Sequence, residues 1–227
     1  MKKLLCLLVG LLAAASLRAD ANADRGTFVS RVETCEAILR EFQADPATAI
    51  PPEVLQRAKA LVITNQIKAG IVLGFKAGYG AILVKRPDGH WSIPVLINAG
   101  DLSLGLQLGG SAVETVYVIM DEKTPRLLFE GRFNIGVDAQ AIAGPHLAEK
   151  EAKNRELLNT PVLVYAKKRG LYAGATVKTG FLTRSDAINR AYYEVPYDLP
   201  ELLYGNFVPS PPPEVQPLMN YVTQLSP

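Results

Sequence analysis

Glycines at Gly70, Gly74, Gly78 and Gly80, followed by an Asp88-Gly89 pair between two apolar runs, constrain this chain more than any other feature. An Asp-Gly pair flanked by β-rich segments is the strongest short-range hairpin signal a sequence offers. Here the flanks are Ala81 to Val84 and Trp91 to Ile97. Glycine at this density tolerates positive φ and lets backbones approach closely, so the stretch from Ala58 to Gly110 is expected to be tightly bent sheet. Pro94 lacks the N–H a ladder needs, which predicts an edge position or a bulge in the second run.

The same stretch holds no nucleophile motif, metal-ligand cluster or phosphate loop. Gly70, Gly74 and Gly78 do not follow the G-x-x-x-x-G-K-[ST] order, and Gly100 to Gly110 lacks G-x-G-x-x-G. Gly110-Ser111-Ala112 is not a G-x-S-x-G elbow. His90 and His146 each follow a turn and have no histidine or cysteine at ligand spacing, so both are expected to be structural and no metal is expected. Asp121-Glu122 and the Glu149/Glu151 pair lie in polar stretches and read as solvated charge rather than an acid–base pair. What remains is basic side chains beside glycine-rich turns: Lys85-Arg86, Lys167-Lys168-Arg169, and Lys59, Lys68, Lys76 and Lys178. That repertoire describes a binding module, with no catalytic residue and no cofactor.

Hydrophobic residues make up 48% of the 227 and charged residues 20%, a composition that builds one globular domain with a sizeable core. Residues 1–23 read as a secretory signal: Lys2 and Lys3, an apolar core from Leu4 to Ala15, then small residues before Ala19, Ala21 or Ala23. A periplasmic or secreted location is therefore expected, with cleavage between Ala19 and Ala23. Losing Lys2, Lys3 and Arg18 with residues 1–19 turns the formal charge from +2 to −1. Such a balance excludes a general polyanion binder and makes nucleic acid an unexpected partner; any anion site must come from local clustering.

After the signal, Phe28, Val32, Cys35, Ile38, Leu39 and Phe42 recur at helical spacing and predict a helix over Thr27 to Phe42, with Cys35 a buried, free thiol. Pro51-Pro52 opens a second short helix, Glu53 to Ala60. Ala112 to Met120 is apolar on both faces and reads as a central strand. Pro161 to Ala166 is expected as a strand, Lys167-Lys168-Arg169-Gly170 as a basic turn, and Leu171 to Val177 as its hairpin partner. Ser185-Asp186-Ala187 caps a helix carrying Tyr192 and Tyr193, and Asp198 to Tyr204 gives another helical turn or two. Pro209 to Pro213 ends the fold, leaving residues 207–227 as a proline-rich tail, a stiff linker or a closing strap.

Several words of this sequence carry a resemblance. They include Ala58-Lys59-Ala60-Leu61-Val62-Ile63, Lys68-Ala69-Gly70-Ile71, Asp88 to Pro94 (DGHWSIP), Gly105 to Gly110 (GLQLGG), Ala143-Gly144-Pro145, Val164 to Gly174 (VYAKKRGLYAG) and Asn189 to Tyr193 (NRAYY). In that order, over roughly residues 50 to 206, the chain resembles the SYLF-domain family, a lipid-binding domain found beside Src-homology-3 and FYVE modules in eukaryotic adaptor and actin-patch proteins. The resemblance implies a domain over 26–206 that binds anionic phospholipid at a membrane surface. The expected fold is α+β, a strongly bent, mainly antiparallel sheet with short helices packed on it. Site residues on this reading are Lys167, Lys168, Arg169, Lys85, Arg86, Lys68 and Lys178. Arg169 would fork onto a phosphate while the lysines act as point charges. Trp91, Tyr79, Tyr172 and Phe181 are candidates to enter the interface. The alternative is an envelope structural or protein-interaction module, with a protein partner in place of the membrane.

Overall fold

The computed structural model describes residues 25–69, 74–103, 111–144, 159–168, 180–208 and 210–227. Its centre is the glycine-rich hairpin. β1 (Ala60–Ala69) and β2 (Gly74–Val84) pair antiparallel over their whole length, from Ala60 against Val84 to Ala69 against Phe75. A Cβ on Gly78 would lie 2.1 Å from the Asn65 carbonyl oxygen, and one on Gly80 would lie 2.4 Å from that of Ile63. Both distances are far inside contact, so only glycine lets β2 bend this closely over β1.

β2 turns into β3 (Val95–Ser103) through the Asp88-Gly89 turn, with Gly89 at φ +84°. Ile82 pairs with Val95 while Lys85 bridges Trp91, so Leu83-Val84 face the longer Ser92-Ile93-Pro94. This is the bulge that Pro94 predicts. Ser92 holds it: its N–H donates to the Val84 carbonyl at 2.8 Å, and its hydroxyl accepts the Val84 N–H at 3.0 Å.

β4 (Ser111–Ile119) lies on the other side of β1, followed by a 3-10 helix (Thr124–Glu130), β5 (Arg132–Asn134), β6 (Ala141–Ala143), β7 (Val162–Lys168) and β8 (Phe181–Arg184). The eight strands form one sheet in the order β5-β8-β3-β2-β1-β4-β7-β6, antiparallel throughout except for β6 against β7. The expected α+β class, with a bent and mainly antiparallel sheet, is what the molecule adopts.

The sheet curls until its two edges are tied together. β5 and β6 are opposite edges, yet six residues join them. Ile135 donates to the Gly180 carbonyl, Gly136 to that of Ala139, and Val162 to that of Gln140. Asn134 falls in the cross-strand row of Ile67 and Ala141 in the row of Ala60, the stagger that closing a sheet into a barrel requires. The face carrying Gly78 and Gly80 is the inside of the curl. Runs such as Ala60 to Thr64 and Val162 to Leu163 are buried on both faces, which explains their continuous apolar character.

The outer face is covered by helices. α1 (residues 25–44) crosses four strands: Arg31 sits over the Tyr79 ring on β2 at 4.9 Å, the Cys35 thiol donates to the Ile63 carbonyl on β1, and Glu41 pairs with Lys167 on β7. α2 (Pro52–Arg57) leads into β1. α3 (Asp186–Tyr193) presents Asn189, fully buried, whose amide bonds both the N–H and the carbonyl of Leu96 at 2.8 Å and so extends the ladder beyond β8. α4 (Leu199–Tyr204) follows Asp198, whose N–H donates to Glu201.

The segment after the prolines folds back onto the body. A 3-10 turn (Pro213–Val215) enters α5 (Gln216–Leu225), and Val215, Leu218 and Val222 are fully buried. Arg25 bonds Glu214 at 2.6 Å, the Arg40 guanidinium lies over the Tyr221 ring at 4.0 Å, and the Trp91 indole N–H donates to the Ser226 carbonyl at 2.8 Å. Each buried aliphatic side chain here contributes about 1.5–3 kcal/mol relative to exposure. The strap, rather than a free tail, describes these residues.

Candidate functional site

Strand direction divides the candidate cations between two ends. β1, β3 and β7 run the same way, so Ala69, Ser103 and Lys168 close their strands at one end of the sheet. Lys68, Lys167 and Lys168 belong to that end, whereas Lys85 and Arg86 follow the far end of β2. A strand of this length separates the two ends by about 30 Å, so the two groups cannot hold one head group. Arg169, Lys178 and Tyr172 lie outside the described residues.

At the far end the cations are already engaged. Lys85 donates to the Pro227 backbone oxygen at 2.5 Å, and Arg86 donates through Nη1 to the Gly205 carbonyl at 3.1 Å. Both fasten the C-terminal part of the chain to the hairpin. Trp91 is 5% exposed and spends its N–H on Ser226, so it is a core residue and not an interfacial one. Tyr79 is covered by Arg31, and Phe181 stacks against Gly100 with Arg132 over its ring at 4.1 Å.

The basic turn expected at Lys167-Lys168-Arg169 is corrected by β7, which continues through Lys168. Successive strand residues point to opposite faces, so Lys167 and Lys168 part company. Lys167 falls on the helix-bearing face opposite Glu114, and its ammonium is bonded to Glu41. Two nearby carboxylates make it a poor holder of a further anion. Lys168 pairs with Val113, in the row of Gln66, on the inside face.

The inside face is where register gathers cations. Lys68 pairs directly with Lys76, and both stand in the row next beyond Gln66 and Lys168 on that face, with Asp101 and Ser111 at its flanks. Below them the inside face carries buried Thr64, Thr115 and Gln66, then turns apolar at Val62, Ile82, Tyr117 and Ile119. The alternate positions at the same end read Ile67, Ala69, Phe75, Ala77 and Leu102. By register, Lys68, Lys76 and Lys168 take one set of alternate positions at this end, and Ile67, Ala69, Phe75, Ala77 and Leu102 take the other. Lys76 is not among the site residues expected from the sequence. Centring the hairpin between Gly70 and Gly74 pairs it with Lys68 and would have found it.

Burial raises three side chains of the core: the Cys35 thiol is pushed up to about 12, as is Tyr192, and Tyr193 rises well above its usual range. General acid–base work needs the opposite displacement. Among the described residues no group of His, Cys, Asp and Glu could hold a metal ion.

Comparison with known proteins now places the chain. The family model described as Las17-binding protein actin regulator (Ysc84) matches residues 100–225, from the middle of β3 through α5. The chain belongs to the Ysc84 (SYLF) family. The SH3 domain-containing YSC84-like protein 1 of Rattus norvegicus is 29% identical over 188 residues, 80% of this chain and 55% of the relative. LAS seventeen-binding protein 3 of Saccharomyces cerevisiae is 32% identical over 180 residues, 78% of this chain and 38% of the relative. The chain thus spans about half the length or less of these curated relatives, whose names describe an SH3 domain and Las17 binding rather than an enzymatic activity. The SYLF match extends through α5, in accord with the packing of that helix on the core.

Proposed function

We propose that this SYLF protein binds anionic phospholipid at a membrane surface through the end of the sheet at which β1 ends and β2 begins. The observation that carries the reading is the cross-strand register, with Lys68, Lys76 and Lys168 sharing one face and Ile67, Ala69, Phe75 and Leu102 the other. Lysines near an acidic membrane each contribute about 1 kcal/mol, and apolar residues beside them add burial in the interfacial layer. Binding is peripheral and non-catalytic on this view. It takes place outside the cytoplasm after removal of the signal in residues 1–23, in the periplasm or the medium.

Sedimentation with vesicles tests the reading. The protein is expected to pellet with vesicles containing phosphatidylglycerol, to pellet less with phosphatidylcholine alone, and to release as salt rises, because exposed charges are screened over roughly 8 Å at physiological ionic strength. Failure to bind acidic vesicles at low salt defeats it. A second reading, binding of a protein partner, rests on the relative named LAS seventeen-binding protein 3. It becomes the leading one in that event.

A further inference from the structure

At the opposite end of the sheet, beside the link that joins its two edges, lies an open cleft of about 890 Å³. Its floor is apolar, with Met120 after β4, Leu127 on the 3-10 helix, Ala139 on the link and Pro161 before β7. The volume falls in the range of small-molecule sites, roughly 300–1,000 Å³. Its backbone is saturated where the elements meet: Met120 N–H donates to Pro161, and Val162 N–H to Gln140.

The carboxylates around this cleft are spoken for. Asp121 accepts the N–H groups of Lys123 and Thr124 and the Thr124 hydroxyl. Asp138 accepts from the backbone and side chain of Asn134, and Glu122 pairs with Lys59 at 3.3 Å. The donors are not. Among the described residues the side chains of Arg57, Lys123, Gln140 and Asn159 line the cleft and make no hydrogen bond or ion pair. Two cations and two amides thus stay open over an apolar floor, while each of the three carboxylates already accepts hydrogen bonds or an ion pair.

We infer that this cleft is a binding site for an amphiphilic organic anion, a carboxylate or sulfonate on an apolar body, with Arg57 and Lys123 taking the charged group and Met120, Leu127 and Pro161 the body. The site is separate from the proposed membrane-binding end and does not depend on it. A carboxylate or sulfonate matches the planar fork of Arg57, and its apolar body requires no hydrogen-bonding partner on the floor.

Titration of the purified protein with 8-anilinonaphthalene-1-sulfonate, followed by fluorescence, tests this, with dodecanoate and dodecanol as competitors. Saturable binding of one probe per chain is expected, displaced by dodecanoate and not by dodecanol. Arg57→Gln with Lys123→Gln should weaken it about tenfold, the scale of losing charge-assisted contacts. Arg126→Gln with Arg132→Gln, an equal loss of charge outside the cleft, should leave it within twofold. Should the double cleft variant melt early, Lys123→Gln alone serves, since Lys123 is exposed and its removal leaves the core untouched. Non-saturating fluorescence, displacement by dodecanol as readily as by dodecanoate, or equal weakening in the two double variants overturns the inference.

Discussion

Single residues decide how tightly this sheet can curl. Gly78 has the Asn65 carbonyl where a Cβ would go, and Gly144 has the ring of Tyr165, a residue only 1% exposed, at 2.1 Å. Neither neighbour can step aside, one being backbone and the other locked in the core. Gly78→Ala is therefore expected to destabilise by about 1–3 kcal/mol, the cost typical of overpacking, measured as a lower midpoint in urea. Cys35 is buried completely against the Ile63 carbonyl, and burial pushes its thiol up to about 12. Its modification by a thiol reagent at pH 8 should be slow in the native protein and fast in denaturant; equal rates would contradict the packing. Cys35 is legible from the helical spacing of its apolar neighbours and Gly78 from the density of glycines around it, whereas Gly144 carries no such signal. What the density could not say was which neighbour each glycine admits, because that depends on strands distant in sequence.

At the scale of elements, the helices and strands largely follow their patterns. Pattern and structure part where an element's fate depends on what packs against it. A basic run such as Lys167-Lys168-Arg169 looks like a turn on charge alone, yet β4 supplies a partner strand, and Glu114 and Glu41 supply the countercharge that keeps Lys167 in β7. Proline spacing likewise suggests a tail after Pro209, but Leu218 and Val222 are an apolar pair at helical spacing with a surface to cover. Leu218→Ala should cost about 2–5 kcal/mol by leaving a cavity, where a loose tail would lose almost nothing; thermal unfolding reads the difference. The Arg25–Glu214 pair adds a pH signature. Hydrogen bonding from its own backbone N–H and from Arg25 holds Glu214 below its ordinary value of 4.5, so its contribution is present at neutral pH. That contribution is lost as pH falls through the lowered value. Glu214→Gln is expected to flatten the acid limb of the stability profile by a small amount and leave stability above pH 6 little changed in slope.

For the molecule as a whole, topology sorts what composition leaves mixed. A chain of nearly balanced charge shows no basic character in sum, and its candidate cations are scattered over a hundred residues. Folding puts Lys85 and Arg86 to structural use at one end and brings Lys68, Lys76 and Lys168 to one face at the other. The class of fold was readable because its hairpin and glycines are local signals. Site geometry was not, because register across β2, β1, β4 and β7 is set by long-range pairing. The most direct measurement of the central claim compares two variants for binding to vesicles containing phosphatidylglycerol. Lys68→Ala with Lys76→Ala and Lys168→Ala should lower affinity on the order of 100-fold, at about 1 kcal/mol for each lysine. Lys85→Ala with Arg86→Ala should lower stability and, in the folded fraction, leave affinity within about twofold. Full binding by a folded triple variant, or loss confined to the Lys85 and Arg86 variant, would contradict the account.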